Sequence, residues 1–218
     1  MKDKKAEVEE AEVIQEDREL QEAQIVKLNN IDTLDQMMAY CQKLVDSKIL
    51  PFRSPEKALV AYQFGKELGL GIVTAMSNIH VIADKPTLSV HAVAALLKRA
   101  GVEKQTIEDY ELIEKKFKDA DGKDQVASTR RTTIEYMWKW EGQLLKERVS
   151  FTWVDAERAG WASKENWKKM PRIMLWNRCM VIGARRVAPD ALLGMYEATE
   201  IADSNNITID LDESGNPI

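Results

Sequence analysis

The sequence predicts an α+β fold: a small antiparallel sheet with a β-hairpin, packed with flanking helices, and acidic, partly disordered termini. Three observations predict it. Toward both ends of the chain, apolar residues recur every three or four positions, as a helix buried on one side requires. The middle instead alternates β-prone and polar residues around turn signals. Helices, strands and helices also follow one another in blocks, which favours α+β over a parallel α/β sheet. A chain of 218 residues, 44% hydrophobic, suffices for one core with appendages rather than two domains.

Residues 31–50 place Leu34, Met37, Met38, Cys41, Leu44 and Val45 at helical spacing, and Pro51 stops the helix. A second helix starts after Ser54 as N-cap, with Pro55 as its first residue, and runs through Glu67 until Gly69 and Gly71 end it. Residues 79–88, IHVIADKPTL, read as a β-hairpin turning at Ala83, Asp84, Lys85 and Pro86. Residues 90–99 then form a helix that Ser89 caps and Gly101 terminates. Two strands, 106–117 and 127–138, flank the polar turn at 119–124; residues 145–152 add another strand and 153–159 a short helix before Gly160. The last helix spans Pro171 to Val187 and ends near Pro189. The expected organisation is an acidic N-terminal segment over residues 1–28, a folded domain over 29–200 and an acidic C-terminal tail over 201–218.

The net charge of −5 conceals a division along the chain: residues 1–22 carry −5 and residues 190–218 carry −7, which leaves +7 for residues 23–189. The acidic ends read either as solvated segments or as regulators, since an acidic tail can compete with a polyanion for a basic groove. No run approaches the roughly 18 apolar residues of a membrane span, and the first residues are too acidic for a signal peptide, so the expected setting is cytoplasmic. Cys41 and Cys179 lie far apart and outside metal-ligand spacing, which predicts reduced thiols packed as small hydrophobes. In residues 64–71, FGKELGLG, Lys66 follows Gly65 directly and no hydroxyl follows the lysine, so the cluster is read as a helix C-cap and tight turn rather than a phosphate loop. His80 and His91 lack a Cys or carboxylate at ligand spacing, and no nucleophile, base and orienter can be assigned. The expectation is a protein without catalytic residues, metal or cofactor.

The most informative segment is residues 166–189, which holds Lys168, Lys169, Arg172, Arg178, Arg185 and Arg186 and no acid. At 100° per residue the four arginines share one side of a helix, while Ile173, Met180 and Ala184 form the apolar stripe. A cationic face of that kind has a natural partner in a phosphate backbone. All six tryptophans, Trp138, Trp140, Trp153, Trp161, Trp167 and Trp176, fall between residues 138 and 176, and bases can stack on exposed rings beside cations. Trp167, beside Lys168 and Lys169, is the expected exposed one; most of the others are expected in the core.

These residues, taken in order, resemble the RecT family of phage single-strand annealing proteins, relatives of the Redβ recombinases. The resemblance covers about Leu50 to Tyr196. It is most specific at Asn166, Trp167, Lys169, Pro171, Arg172, Met174, Leu175 and Arg178, then Gly183, Ala184 and Arg185, then Pro189, Asp190, Gly194 and Tyr196. The stretch with GKELGLG, IHVIADKPTLS and VHAVAALLKRAG adds to it, whereas Met170 and Cys179 depart from the pattern. The resemblance implies ATP-independent single-stranded DNA binding and strand annealing for homologous recombination, with the DNA in a basic groove. It also implies self-assembly into rings or helical filaments, and partners such as a phage exonuclease or host single-strand-binding protein. Lys168, Lys169, Arg172, Arg178, Arg185, Arg186 and Trp167 are the expected DNA contacts. A scaffolding protein without a nucleic-acid role and a nuclease remain alternatives at the level of sequence.

Overall fold

The computed structural model describes residues 33–48, 52, 54–118, 122–213 and 215–217, without the side chains of Lys115 and Phe117. The acidic segment expected over residues 1–28 lies outside them. Two compact units divide the chain, Met1–Leu59 and Val60–Ile218. In the first, helix α1 (Leu34–Asp46) opens with a capping box, in which Thr33 and Gln36 each accept the other's backbone N–H at 3.3 Å. It buries Met37 and Cys41. Helix α2 (Pro55–Glu67) begins at Pro55 as expected.

The second unit holds α3 (Ile72–Asn78), β1 (Ile79–Ile82), β2 (Lys85–Leu88), α4 (Val90–Arg99), β3 (Glu103–Lys118), β4 (Asp124–Trp140) and β5 (Gln143–Thr152). There follow α5 (Trp153–Arg158), α6 (Glu165–Lys169), α7 (Pro171–Val187), a 3-10 turn (Pro189–Leu192), β6 (Tyr196–Glu197) and α8 (Ala198–Ser204). The fold is α+β, with two three-stranded sheets rather than one: β1-β2-β6, in which β6 runs parallel to β2, and the antiparallel β3-β4-β5. Both two-residue hairpin turns are left-handed throughout, Ala83 and Asp84 at φ 49° and 57°, Glu141 and Gly142 at 48° and 80°, the I′ form that matches strand twist. Gly69 closes α2 at φ 65°, so the glycine cluster is a helix end, and Arg99 donates to the Gly69 carbonyl.

Helix α7 is the hub. Ile134 and Tyr136, two apart on β4 and both fully buried, share the sheet face that α7 covers, and the Tyr136 hydroxyl reaches the Cys179 and Met180 carbonyls at 3.2 and 3.1 Å. Burial pushes this phenol above its ordinary pKa. A Cβ on Gly183 would stand 2.1 Å from Tyr136 Cε2, so only glycine lets strand and helix approach this closely. With other elements packed on its far side, α7 buries Met174, Leu175, Asn177, Arg178, Cys179, Met180, Val181, Gly183 and Ala184. That is far more than the single apolar stripe expected from the sequence. Cys179 is a buried free thiol, pushed up to about 12 by burial. The opposite face of the sheet is closed by polar pairs: Glu135 accepts from Arg148 Nε at 2.6 Å and from Lys146 at 3.4 Å, and Glu108 pairs with Arg131 and Thr133.

The segment expected as an acidic tail is built into this unit among the described residues. Asp203 on α8 is buried; Gly215 packs on Ile173 and Asn177, and Asn216 meets His91 Nδ1 at 3.1 Å. No helix among the described residues is long and apolar enough to cross a membrane.

Candidate nucleic-acid interface

Where α7 begins, it lies beside β3, and a distortion of β3 shapes the contact. The β3–β4 register shifts between Thr106 and Glu108 and again between Glu108 and Glu111, and Tyr110 takes φ +60° within the bulge. That backbone is fixed from two sides: Tyr110 N–H donates to Thr132 Oγ1 at 3.3 Å, and Arg130 Nη1 donates to the Tyr110 carbonyl at 3.2 Å. The bulge brings Asp109 to Arg172, whose Nε donates to Asp109 Oδ1 and Oδ2 at 3.0 and 3.1 Å and whose Nη2 donates to Oδ2. Hydrogen bonding to Asp109 pushes the Arg172 guanidinium above its ordinary range. One turn along α7, half-buried Trp176 donates from Nε1 to Thr106 Oγ1 at 3.2 Å, and Lys104 Nζ stands 5.7 Å from its ring centroid. On the other side of the bulge the Arg130 guanidinium lies 5.1 Å from the Tyr110 ring centroid.

Lys104 and Trp176, Arg172 with Asp109, and Arg130 with Tyr110 therefore form one surface strip along β3 and α7, with Arg130 contributed by β4. Lys104, Arg130 and Arg172 are exposed, and the two rings are half-buried. Cations alternating with π-faces suit a chain of phosphates and bases. By contrast, the small polar pocket lined by Lys164, Asn166, Asp203, Asn206 and Thr208 encloses about 130 Å³, against the roughly 300 Å³ or more of a small-molecule site. Among the described residues no group of three or more His, Cys, Asp or Glu is placed to hold a metal ion.

The residues expected as DNA contacts fall into different environments. Lys168 is exposed, and Lys169 is exposed with Glu165 at 3.1 Å on the same helix face. Arg186 is 59% exposed and pairs with Glu147 at 3.1 Å. Arg185, half-buried, forks onto Glu200 and lies 4.8 Å from the Tyr196 ring. Two expectations are corrected. Trp167 is not exposed: its ring is fully buried among Phe151, Trp153 and Trp161 at centroid distances of 5.9–6.4 Å, with Nε1 donating to the Asp203 carboxylate at 3.0 Å. Arg178 is not on a solvent face: its side chain is 5% exposed, paired with Asp203 at 2.6 Å and Glu200 at 3.3 Å, with its guanidinium 4.2 Å from the Trp161 centroid.

The acids that complete these pairs lie 63 residues from Arg172, 39 from Arg186 and 25 from Arg178, beyond the reach of any local charge count. Glu197, the residue that precedes α8, is wholly buried. Burial pushes it up to about 7, opposed by its hydrogen bonds to Thr199 and by Arg178, and its Oε1 has no partner among the described residues. Sequence reasoning missed Lys104, Arg130, Tyr110 and Asp109, because only the fold draws β3 and α7 together. It also missed Trp140, 65% exposed at the end of β4, for which the adjoining Glu141–Gly142 turn was the available signal.

Comparison of the chain with protein-family models, with curated proteins and with solved structures yields no match.

Proposed function

We propose that the chain binds single-stranded DNA along the β3–α7 strip and promotes annealing of complementary strands without forming or breaking covalent bonds. The observation that carries this reading is the alternation of Lys104, Arg172 and Arg130 with the Trp176 and Tyr110 rings on one surface. Phosphates take the cations while bases rest on the rings, which carries little sequence information and leaves pairing edges free for a second strand. Neutralised phosphates also lower the repulsion between the two strands. Lys168 and Lys169, next to the start of α7, extend the positive charge. The resemblance to annealing proteins noted from the sequence points the same way, and assembly as a ring or filament and a nuclease partner belong to that resemblance.

Titration of a fluorescent oligonucleotide across a salt series tests the reading. Arg172→Ala should flatten the log-log salt slope by about one unit, and Trp176→Ala should weaken binding with the slope unchanged. Complementary strands mixed with the protein and a divalent metal should anneal at unchanged length. Salt-independent binding, or none, would favour a scaffold; shortened strands would favour a nuclease.

A further inference from the structure

Resting on that reading of the strip, we propose that Asp109 is a built-in competitor for the phosphate seat on Arg172, displaced when a strand binds and held in place by the bulge at Tyr110. The carboxylate takes the Nε and Nη2 donors of Arg172, the side-on edge that a phosphate takes in the same fork geometry. The pair is open to water, with side chains 67% and 36% exposed, so it is weak enough to exchange. A phosphate within a polyanion has the advantage in that exchange, because it releases condensed counterions and a lone carboxylate does not.

The bulge fixes the acid where it competes. Tyrosine at φ +60° is a conformation that L side chains rarely adopt, and it persists only where surrounding contacts over-determine it. Here Thr132, the Arg130 hydrogen bond and the Arg130 stack on the Tyr110 ring supply them, and none of these contacts involves Asp109 itself. The acid can therefore let go of Arg172 while the bulge stays. The consequence is a threshold: weak or isolated anions fail to open the seat, and a strand that also engages Lys104, Trp176 and Arg130 succeeds.

Binding of a fluorescent oligo-thymidine strand at low salt, read together with thermal melting, decides the matter. Asp109→Asn, with the melting curve of the parent, should bind about two- to fivefold tighter, the range that exposed ion pairs span, and the gain should shrink as salt rises and screens the pair that the substitution removes. Asp109→Ser, which also removes the charge, should show the same gain. On an Arg172→Ala background the gain should vanish. Unchanged or weaker binding by both folded variants would overturn the proposal, as would a gain that survives without Arg172, since that marks general repulsion. A parent chain that fails to bind at low salt would instead remove the strip itself as a binding site, and the role of Asp109 with it.

Discussion

Glu197 and His80 are both buried and both hold their uncharged forms, yet they respond to pH in opposite senses. Glu197 is raised to about 7 from an ordinary 4.5 and His80 is lowered to about 4 from 6.5, both by burial. Between pH 4.5 and 7 the folded chain keeps a proton on Glu197 that the unfolded chain has lost, so this contribution to stability falls as pH rises and is fully present only below 4.5. Between pH 4 and 6.5 the unfolded chain binds a proton at His80 that the folded chain refuses, so that contribution rises with pH and is complete above 6.5. At 1.36 kcal/mol per unit, each amounts to about 3 kcal/mol, and the two nearly cancel where they overlap. Replacing Glu197 with Gln removes one slope and leaves the other. Measured by urea unfolding at constant ionic strength from pH 4 to 8, wild-type stability relative to Glu197→Gln should drop by about 3 kcal/mol from pH 4.5 to 7 and stay level outside that window. Parallel curves would refute the reasoning, because they would mean that Glu197 titrates alike in the folded and unfolded chains.

Three further outcomes follow from packing. Gly183→Ala forces a Cβ to within 2.1 Å of Tyr136 and should cost about 1–3 kcal/mol in urea unfolding, as overpacked cores do, with much of that recovered in a Tyr136→Ala background. Arg178→Ala leaves Glu200 and Asp203 without their main buried cation and should cost about 3–5 kcal/mol; if the variant melts like the parent, the ion cluster is not a structural element. Trp167→Ala should likewise cost about 3–5 kcal/mol, whereas Trp176→Ala should cost far less stability while weakening oligonucleotide binding. Equal losses of stability in the two tryptophan variants would contradict the different burial of the rings.

The elements that local chemistry determines were legible in the sequence. Pro55 and Pro171 start helices because a proline at the first helical position sacrifices no hydrogen bond, and Ser89 caps α4 by accepting the Ala92 N–H at 3.1 Å. The alternation of β4 and the polar turn before it gave the long hairpin, extended by a few residues where pairing with β3 continues beyond the apolar stretch. Strand β6 and helix α8 carried too little local signal: two residues of strand exist only because β2 offers its edge, and the acids of α8 look solvated until Arg178 and Arg185 stand opposite them.

The candidate site divides in the same way. That residues 166–189 are basic and acid-free is a property of the sequence alone. Which of those cations faces water is not, because charge compensation acts through space: Asp109, Glu147, Glu200 and Asp203 arrive from strands and helices far along the chain. A helix wheel also assumes one buried side, and α7 is covered on more than one, which sends Arg178 inward. Trp167 follows Arg178 into the core, since a ring that size next to two lysines can be buried once Asp203 accepts its N–H and Phe151, Trp153 and Trp161 surround it. Composition thus determined that this chain carries a basic, tryptophan-rich body between acidic ends; tertiary structure alone decided that Arg178 and Trp167 are buried while Lys104, Arg130 and Arg172 stay open beside the Trp176 and Tyr110 rings, because exposure depends on what else packs nearby.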